Sequence, residues 1–149
     1  SIDWSQLSNN YGTYRFITDL YKFISSDANS NAFSFTSLNP NMLHNIDNEN
    51  KVVILYRTDF KGNDYYLLIN LGHKEFVGSY RFSIYNPGRY KIVLNSDDTK
   101  YQGTGRLYQY ISHSDVFDTE LNTMHEQLAY SLSIPYIPPY GVLILKKTN

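Results

Sequence analysis

The side chains with chemistry to offer are four histidines, six aspartates in loop or turn regions, and a surplus of aromatic rings. The histidines stand at positions 44, 73, 113 and 125. No two are spaced i, i+4 on a predicted helix, and no His-Glu-x-x-His or His-x-x-Glu-His run occurs, so ordinary surface histidine is favoured over a metal site. Asp59, Asp64, Asp97, Asp98, Asp115 and Asp118 fall where a carboxylate bonds its own backbone. Glycoside chemistry of the retaining kind needs two carboxyl groups about 5 Å apart in a cleft, and no spacing here imposes that. There is no G-x-S-x-G elbow. Gly103 and Gly105 in YQGTG precede no predicted helix, which assigns them to a turn and not to a phosphate cradle. The aromatic surplus, 15 Tyr and 8 Phe, is the one compositional hint of binding. Exposed rings stack on the apolar faces of sugars as they do on other apolar surface. Trp4, Tyr65, Tyr66, Tyr101, Tyr108 and Tyr110 are the residues placed to do so. For any one of these tyrosines, packing into a core is the more frequent fate.

Positioning those rings requires a scaffold, and the hydrophobic period defines it. Tyr14, Ile17, Leu20, Tyr21 and Ile24 recur at helical spacing, with Asn9 and Asn10 as caps before them and SSDANSN, Ser25–Asn31, ending the run. After Pro40 the period becomes two. Lys51–Thr58, Tyr65–Leu71, Ser79–Tyr85, Tyr90–Asn95, Leu128–Ile134 and Tyr140–Lys146 read as strands, with Leu107–Ile111 a short edge strand. KGND, Lys61–Asp64, reads as a hairpin turn, NPG at Asn86–Gly88 as a turn, and Ser96–Arg106 as loop. Pro135–Pro139 is expected to leave the ladder, because proline lacks the donor. The pattern predicts an all-β, antiparallel sandwich of six to eight strands, of Greek-key type, with one N-terminal α-helix. It divides as residues 1–31, the helical segment, and residues 32–149, the all-β domain. One helix buries only one stripe, so Ile17, Leu20, Tyr21 and Ile24 must fold back on the sandwich or pair with a second copy in a homodimer.

Bulk properties narrow the classes further. The 149 residues suit a single domain with a sizeable core. A net charge of −1 with 13 scattered Lys and Arg disfavours nucleic acid as a partner. No apolar run approaches the ~20 residues that span a bilayer, so no membrane partner is expected. Cys is absent, which excludes disulfides and thiolate metal sites and fits a cytoplasmic protein. Nothing calls for a cofactor.

Several segments, taken in order, resemble the end of bacterial-type glycogen (1,4-α-glucan) branching enzymes of the α-amylase superfamily. SIDWSQL at Ser1–Leu7 is similar to S-L-D-W-x-L-L, and YRFITDLYKFI at Tyr14–Ile24 resembles the last helix of the catalytic barrel. SLNPNMLHNID at Ser37–Asp47 is similar to F-D-P-x-G-F-x-W-I-D, with His44 where Trp is usual. KVVILYR and YYLLINLG resemble the first two strands of the β domain. YNPGRYKIVLNSDDTKYQGTG, Tyr85–Gly105, is the nearest match, to P-G-x-Y/W-x-E-I-L-N-S/T-D followed by Y-x-G-S. LAYSLSIPYIPPYGVLILK resembles the closing S-L-x-L-x-L-P-P-L strand pair. Ile92–Val93 lacks the Glu of that pattern, GHKEFVG at Gly72–Gly78 lacks its P-V-P, and Leu107–Gln127 has no clear counterpart.

The resemblance implies an enzyme that cuts an α-1,4-glucan and rejoins it through an α-1,6 bond by retaining double displacement. Its Asp nucleophile, Glu acid/base and second Asp belong to a (β/α)₈ barrel that precedes this region, and no residue here matches their motifs. The implied role is that of a non-catalytic C-terminal domain. Its partners are the barrel of the same polypeptide and α-glucan (glycogen or maltooligosaccharide), held remotely so that an acceptor chain is kept in place. The same domain in an amylase, pullulanase-type or trehalose-forming enzyme is the neighbouring reading, and a free-standing carbohydrate-binding or interaction module is a third.

Overall fold

A computed structural model of the chain describes residues 11–26, 29–33, 42–59, 61–111 and 114–148. Trp4, the SIDWSQL stretch, the Asn9–Asn10 cap, the first half of SLNPNMLHNID and His113 lie outside those residues. Among the described residues there are nine strands: β1 (Met42–Asp47), β2 (Val52–Thr58), β3 (Asp64–Asn70), β4 (Phe76–Ser83), β5 (Arg89–Asn95), β6 (Val116–Asp118), β7 (Glu120–Met124), β8 (Gln127–Ile137) and β9 (Val142–Lys147). Three helices accompany them: α1 (Tyr11–Ser25), α2 (Ser30–Phe33) and α3 (Leu107–Tyr110), with a 3₁₀ turn at Thr99–Tyr101. One sheet has the order β1-β2-β3-β9-β5-β6, the other β4-β8-β7. Every pairing is antiparallel. The expected sandwich is present.

Alternation explains which residues meet between the sheets. Val52, Ile54 and Tyr56 of β2, Tyr66 and Leu68 of β3, Tyr90 and Ile92 of β5, and Leu143 and Leu145 of β9 face Tyr80 and Phe82 of β4 and Leu132, Ile134 and Tyr136 of β8. Each such aliphatic residue taken fully out of water contributes about 1.5–3 kcal/mol. β2 is central in its sheet, between β1 and β3, and both its faces are covered: Val52, Ile54 and Tyr56 meet the other sheet, and buried Arg57 on the opposite face donates to the Ala32 carbonyl of α2. The other face of the six-stranded sheet is covered as well. Tyr65, Leu67, Leu94, Val142 and Ile144 pack beneath Phe16, Leu20 and Phe23 of α1 and Ala32 and Phe33 of α2.

Four expectations are corrected. Alternation along Tyr90–Asn95 puts Tyr90, Ile92 and Leu94 on one face, but the register of β5 against β9 shifts between Ile92 and Leu94 and turns Leu94 toward α1. Leu107–Ile111 is not an edge strand but the short helix α3, anchored by fully buried Leu107. β8 does not stop before Pro135 but runs to Ile137. The Ile84 N–H donates to the Tyr130 carbonyl at 2.9 Å, so even-numbered residues of β8 bond toward β4 and odd-numbered ones toward β7. Pairing with β7 ends at Ser131, so the missing N–H of Pro135 points where no strand waits for it. Finally, α1 seats through Gly12, Phe16, Leu20 and Phe23, so of the expected stripe Leu20 folds back on the sandwich while Ile17 and Tyr21 do not. Tyr14, Ile17 and Tyr21 are 61%, 57% and 68% exposed.

Candidate functional site

The loop after β5 is built by three consecutive uses of short polar side chains. The Asn95 carboxamide oxygen accepts from the Asp97 N–H at 2.9 Å. Asp97 turns its carboxylate to the Thr104 N–H at 3.0 Å and to the Thr104 hydroxyl. Asp98 accepts from the Lys100 N–H at 3.0 Å and so caps the 3₁₀ turn. The segment folds back so tightly that a Cβ on Gly103 would lie 2.3 Å from the Asp97 carbonyl, which is why glycine stands there. Gly105 has φ +65°, in the left-handed region. Both glycines serve this tight loop, but the helix α3 follows at Leu107, where the sequence predicted none.

The inner side of this loop holds α1. Tyr101 is buried edge-on against Phe16, with centroids 5.3 Å apart, and its hydroxyl donates to Asp19 at 2.6 Å. The Gly12 N–H donates to the Gln102 side chain at 2.9 Å, and Arg15 reaches the Lys100 carbonyl at 3.3 Å. A Cβ on Gly12 would sit 1.9 Å from the Tyr101 carbonyl oxygen.

The outer side is open. β6 pairs only with Arg89–Lys91, so from Val93 onward the outer edge of β5 has no neighbouring strand. A pocket of about 340 Å³ fills that place, lined by Lys91, Asn95, Asp98, Lys100 and Tyr108. Tyr108 is 46% exposed, and its hydroxyl donates to Asp98 at 2.9 Å. Burial, then the Asp98 bond and charge, push the Tyr108 hydroxyl pKa up, while the neighbouring Asn95 amide opposes them. Asn95 is only 3% exposed, and its Nδ2 has no hydrogen-bond partner.

Of the residues singled out for sugar stacking, Tyr65, Tyr66 and Tyr101 are in the core, at 0%, 0% and 5% exposure, so no ring face is free to stack. The cause is that both faces of β3 are covered: Tyr66 packs between the sheets, and Tyr65 lies under Phe23 and Phe33 and bonds Asn29. Tyr108 and Tyr110 keep exposed rings, but the structure does not bring them together. Tyr110 turns away from the pocket and stacks on Tyr136, 5.4 Å apart and 9° from parallel. The Tyr136 hydroxyl donates to Glu75 at 2.9 Å, and Arg106 pairs with the same carboxylate oxygen at 2.5 Å. The Tyr136 and Arg106 bonds outweigh desolvation and hold the Glu75 pKa below the usual carboxylate range. Asn95 was missed, because an Asn ending a strand reads as a turn former. Exposed Tyr85 and Tyr140, at 53% and 71%, were missed because nothing in their spacing separates them from core tyrosines.

The whole β framework, from Leu43 in β1 to Thr148 just past β9, matches the family described as the α-amylase C-terminal all-β domain, over residues 43–148. This chain belongs to that family. α1 and α2 lie outside the matched span. In α-amylase-family proteins the domain is normally attached to a catalytic barrel.

As an α-amylase C-terminal domain, the chain commits five of its six loop aspartates, all but Asp115, to structural bonds. Asp59 accepts from the Lys61 and Asn63 N–H groups and closes the β2–β3 turn. Asp64 is buried and receives the Tyr56 hydroxyl at 3.0 Å and the Asn86 amide at 2.6 Å. Asp118 pairs with Arg89 at 2.9 Å on the surface. The consecutive Asp97 and Asp98 aim at different partners, Thr104 and Tyr108. Among the described residues no group of three His, Asp or Glu side chains gathers as a metal would require. No described helix is long and apolar enough to cross a membrane.

Proposed function

We propose that this chain is the non-catalytic C-terminal region of a 1,4-α-glucan branching enzyme, and that the outward stripe of α1 is where the catalytic barrel seats. One observation carries the reading: α1 is fixed to the sandwich by Gly12, Phe16, Leu20 and Phe23, yet presents a second apolar row, Tyr14, Ile17 and Tyr21, to solvent. A helix with two apolar rows is buried on both sides in its working state. The family's habitual neighbour supplies the second side. Choice of branching enzyme over an amylase or pullulanase-type enzyme rests on SIDWSQL and YRFITDLYKFI, which resemble that group, whereas the sandwich itself would serve any of them. In this reading residues 1–31 are the barrel-end segment and residues 32–149 the all-β domain, with α2 (Ser30–Phe33) bridging the boundary. The barrel performs the glycosyl transfer in the cytoplasm, and the domain covers its flank.

The test is a fusion that carries a catalytic barrel of the family ahead of Ser1. Ile17→Glu with Tyr21→Glu is expected to lower the melting temperature and branching rate of the fusion, while leaving the separate chain's melting temperature within about 2 °C. An unaffected fusion overturns the docking face. Concentration-dependent dimers abolished by the same pair favour a homodimer instead. Glucan branching by the separate chain overturns the non-catalytic role.

A further inference from the structure

We propose that the outer edge of β7 receives an extended segment of a partner protein in which apolar and basic residues alternate. β7 is the last strand of its three-stranded sheet. The Ile84 N–H bonds the Tyr130 carbonyl, so odd-numbered residues of β8 bond β7, through the pairs Glu120–Ser131, Asn122–Ala129 and Met124–Gln127. The intervening residues of an antiparallel strand turn their backbone groups the other way. The N–H and C=O of Leu121 and Thr123 therefore point along the outer edge, where no described strand receives them. Such edges are usually blunted by Lys, by Pro or by a bulge. β7, ELNTM, has none of the three. The hairpin closes on His125 and Glu126, at φ +49° and +66°, a two-residue turn that pins the register and so the faces of both strands.

Those faces select the occupant. Leu121 stands opposite Tyr130, and Thr123 opposite Leu128. They continue the inter-sheet face of β8, that of Leu132 and Ile134, past the point where the other sheet covers it. Leu121, Leu128 and Tyr130 are accordingly 53%, 68% and 40% exposed. Apolar side chains grouped in this way mark contact surfaces. The opposite face bears Glu120 and Asn122. No Lys or Arg occurs from Leu107 to Leu145, whereas Asp115, Asp118, Glu120 and Glu126 do. Among the described residues only Asp118 of these four has an ion-pair partner, Arg89. A strand laid on the β7 edge sets its side chains alternately on the two faces. Apolar residues beside Leu121 meet the exposed patch, and basic residues beside Glu120 meet its carboxylate, an attractive cross-strand pair. A second copy joined β7 to β7 would set one acidic hairpin against another, and a nucleic acid would meet the same carboxylates.

The experiment is an amide NMR titration of the 149-residue chain with a short peptide alternating valine and lysine, its valine–glutamate counterpart in parallel. Expected are saturating shifts and slowed hydrogen exchange at Leu121 and Thr123 with the lysine peptide, weakened by salt, and no response to the glutamate peptide. Thr123→Pro deletes an N–H that only an added strand uses, so it should leave the fold intact and abolish the shifts. Glu120→Lys should raise Kd for the lysine peptide about tenfold and admit the glutamate peptide. If Thr123→Pro unfolds the hairpin, Glu120→Lys decides, because Glu120 is exposed. Absent shifts at Leu121 and Thr123, equal binding of the glutamate peptide, or shifts centred on the edges of β1 or β5 overturn the proposal. So does concentration-dependent broadening at Leu121 without peptide, which assigns the edge to a second copy. None of these outcomes touches the barrel-docking reading, whose residues lie on α1 and which the fusion measures separately.

Discussion

The six-stranded sheet is covered on both faces, but the two covers differ in kind. Between the sheets, the core is continuous and its polar atoms are almost all partnered. Tyr56 donates to Asp64 at 3.0 Å, Tyr80 to Asp47 at 2.8 Å and Tyr90 to the Asn86 carbonyl at 2.8 Å, and Tyr66 receives the Tyr85 N–H at 2.8 Å. Burial pushes all four hydroxyl pKa values upward, Tyr56 to about 12, so these phenols stay protonated through the physiological range. Under α1, by contrast, the fully buried set is small: Ala32, Tyr65, Leu94, Tyr101 and Ile144, fringed by half-buried rings. The first interface defines the fold. The second holds one helix against a loop and the sheet face beneath it, and leaves the far side of that helix exposed.

The largest effect should come from the first interface. Leu132 has no exposed surface, and Leu132→Ala is expected to cost about 2–5 kcal/mol in chemical denaturation. A smaller loss would mean that the inter-sheet core relaxes as freely as the helix interface. Next is Gly12→Ala, which forces a methyl against the Tyr101 carbonyl. Overpacking costs about 1–3 kcal/mol. Here it should appear as lost hydrogen-exchange protection in α1, with the sandwich strands protected as before. Uniform loss across both regions would show that helix and sandwich are one cooperative unit.

His44 sharpens the comparison by pH. Its ring lies edge-on to Tyr66 and Tyr85, its Nε2–H donates to the Ser83 carbonyl at 2.6 Å, and its buried Nδ1 has no partner. Burial lowers its pKa below 6.5, outweighing the Ser83 bond. Between the two pKa values the unfolded state binds more protons, so this contribution is present above pH 6.5 and is lost as pH falls through the folded value. The slope is at most about 1.4 kcal/mol per pH unit. His44→Phe should flatten the stability curve below pH 6.5 while leaving the acid limb below pH 3.8, where Asp47 titrates. For Asp47, burial raises the pKa, but the bonds from Asn50 and Tyr80 prevail and the net shift is downward. Its share is therefore present above 3.8 and lost below. An unchanged slope would show that His44 titrates freely. The smallest effect is expected for Ile17→Glu in the separate chain, within about 0.5 kcal/mol of zero by thermal melt. A larger loss would mean that the outer row of α1 is already covered.

How legible these features were depends on whether a period could be read one way only. β2, β3, β4, β5, β8 and β9 announce themselves by runs of Val, Ile, Leu and Tyr bounded by turn residues. MLHNID, VFD and ELNTM are short, polar and at sheet edges or projecting, where packing and not propensity decides. LYQY alternates as a strand would, yet only Leu107 is buried and the segment coils as α3. In α1 two apolar rows fit the helical period equally well, and only the sheet beneath selects the Phe16–Phe23 row. The same limit applied to the site. Tyr108 was visible as an aromatic next to a turn, whereas the free end of Asn95 depends on a loop closure that no spacing encodes.

Pro135 has a consequence at the sheet's margin. β7 leaves β8 at Ser131, so beyond it that flank of β8 has no paired strand and is met by β6 and α3, with Tyr110 stacked on Tyr136. A flank without a paired strand is one onto which a strand from another molecule could zip. A proline whose nitrogen faces that flank removes a donor from the template, which favours a chain that stays solitary while its concentration rises during synthesis.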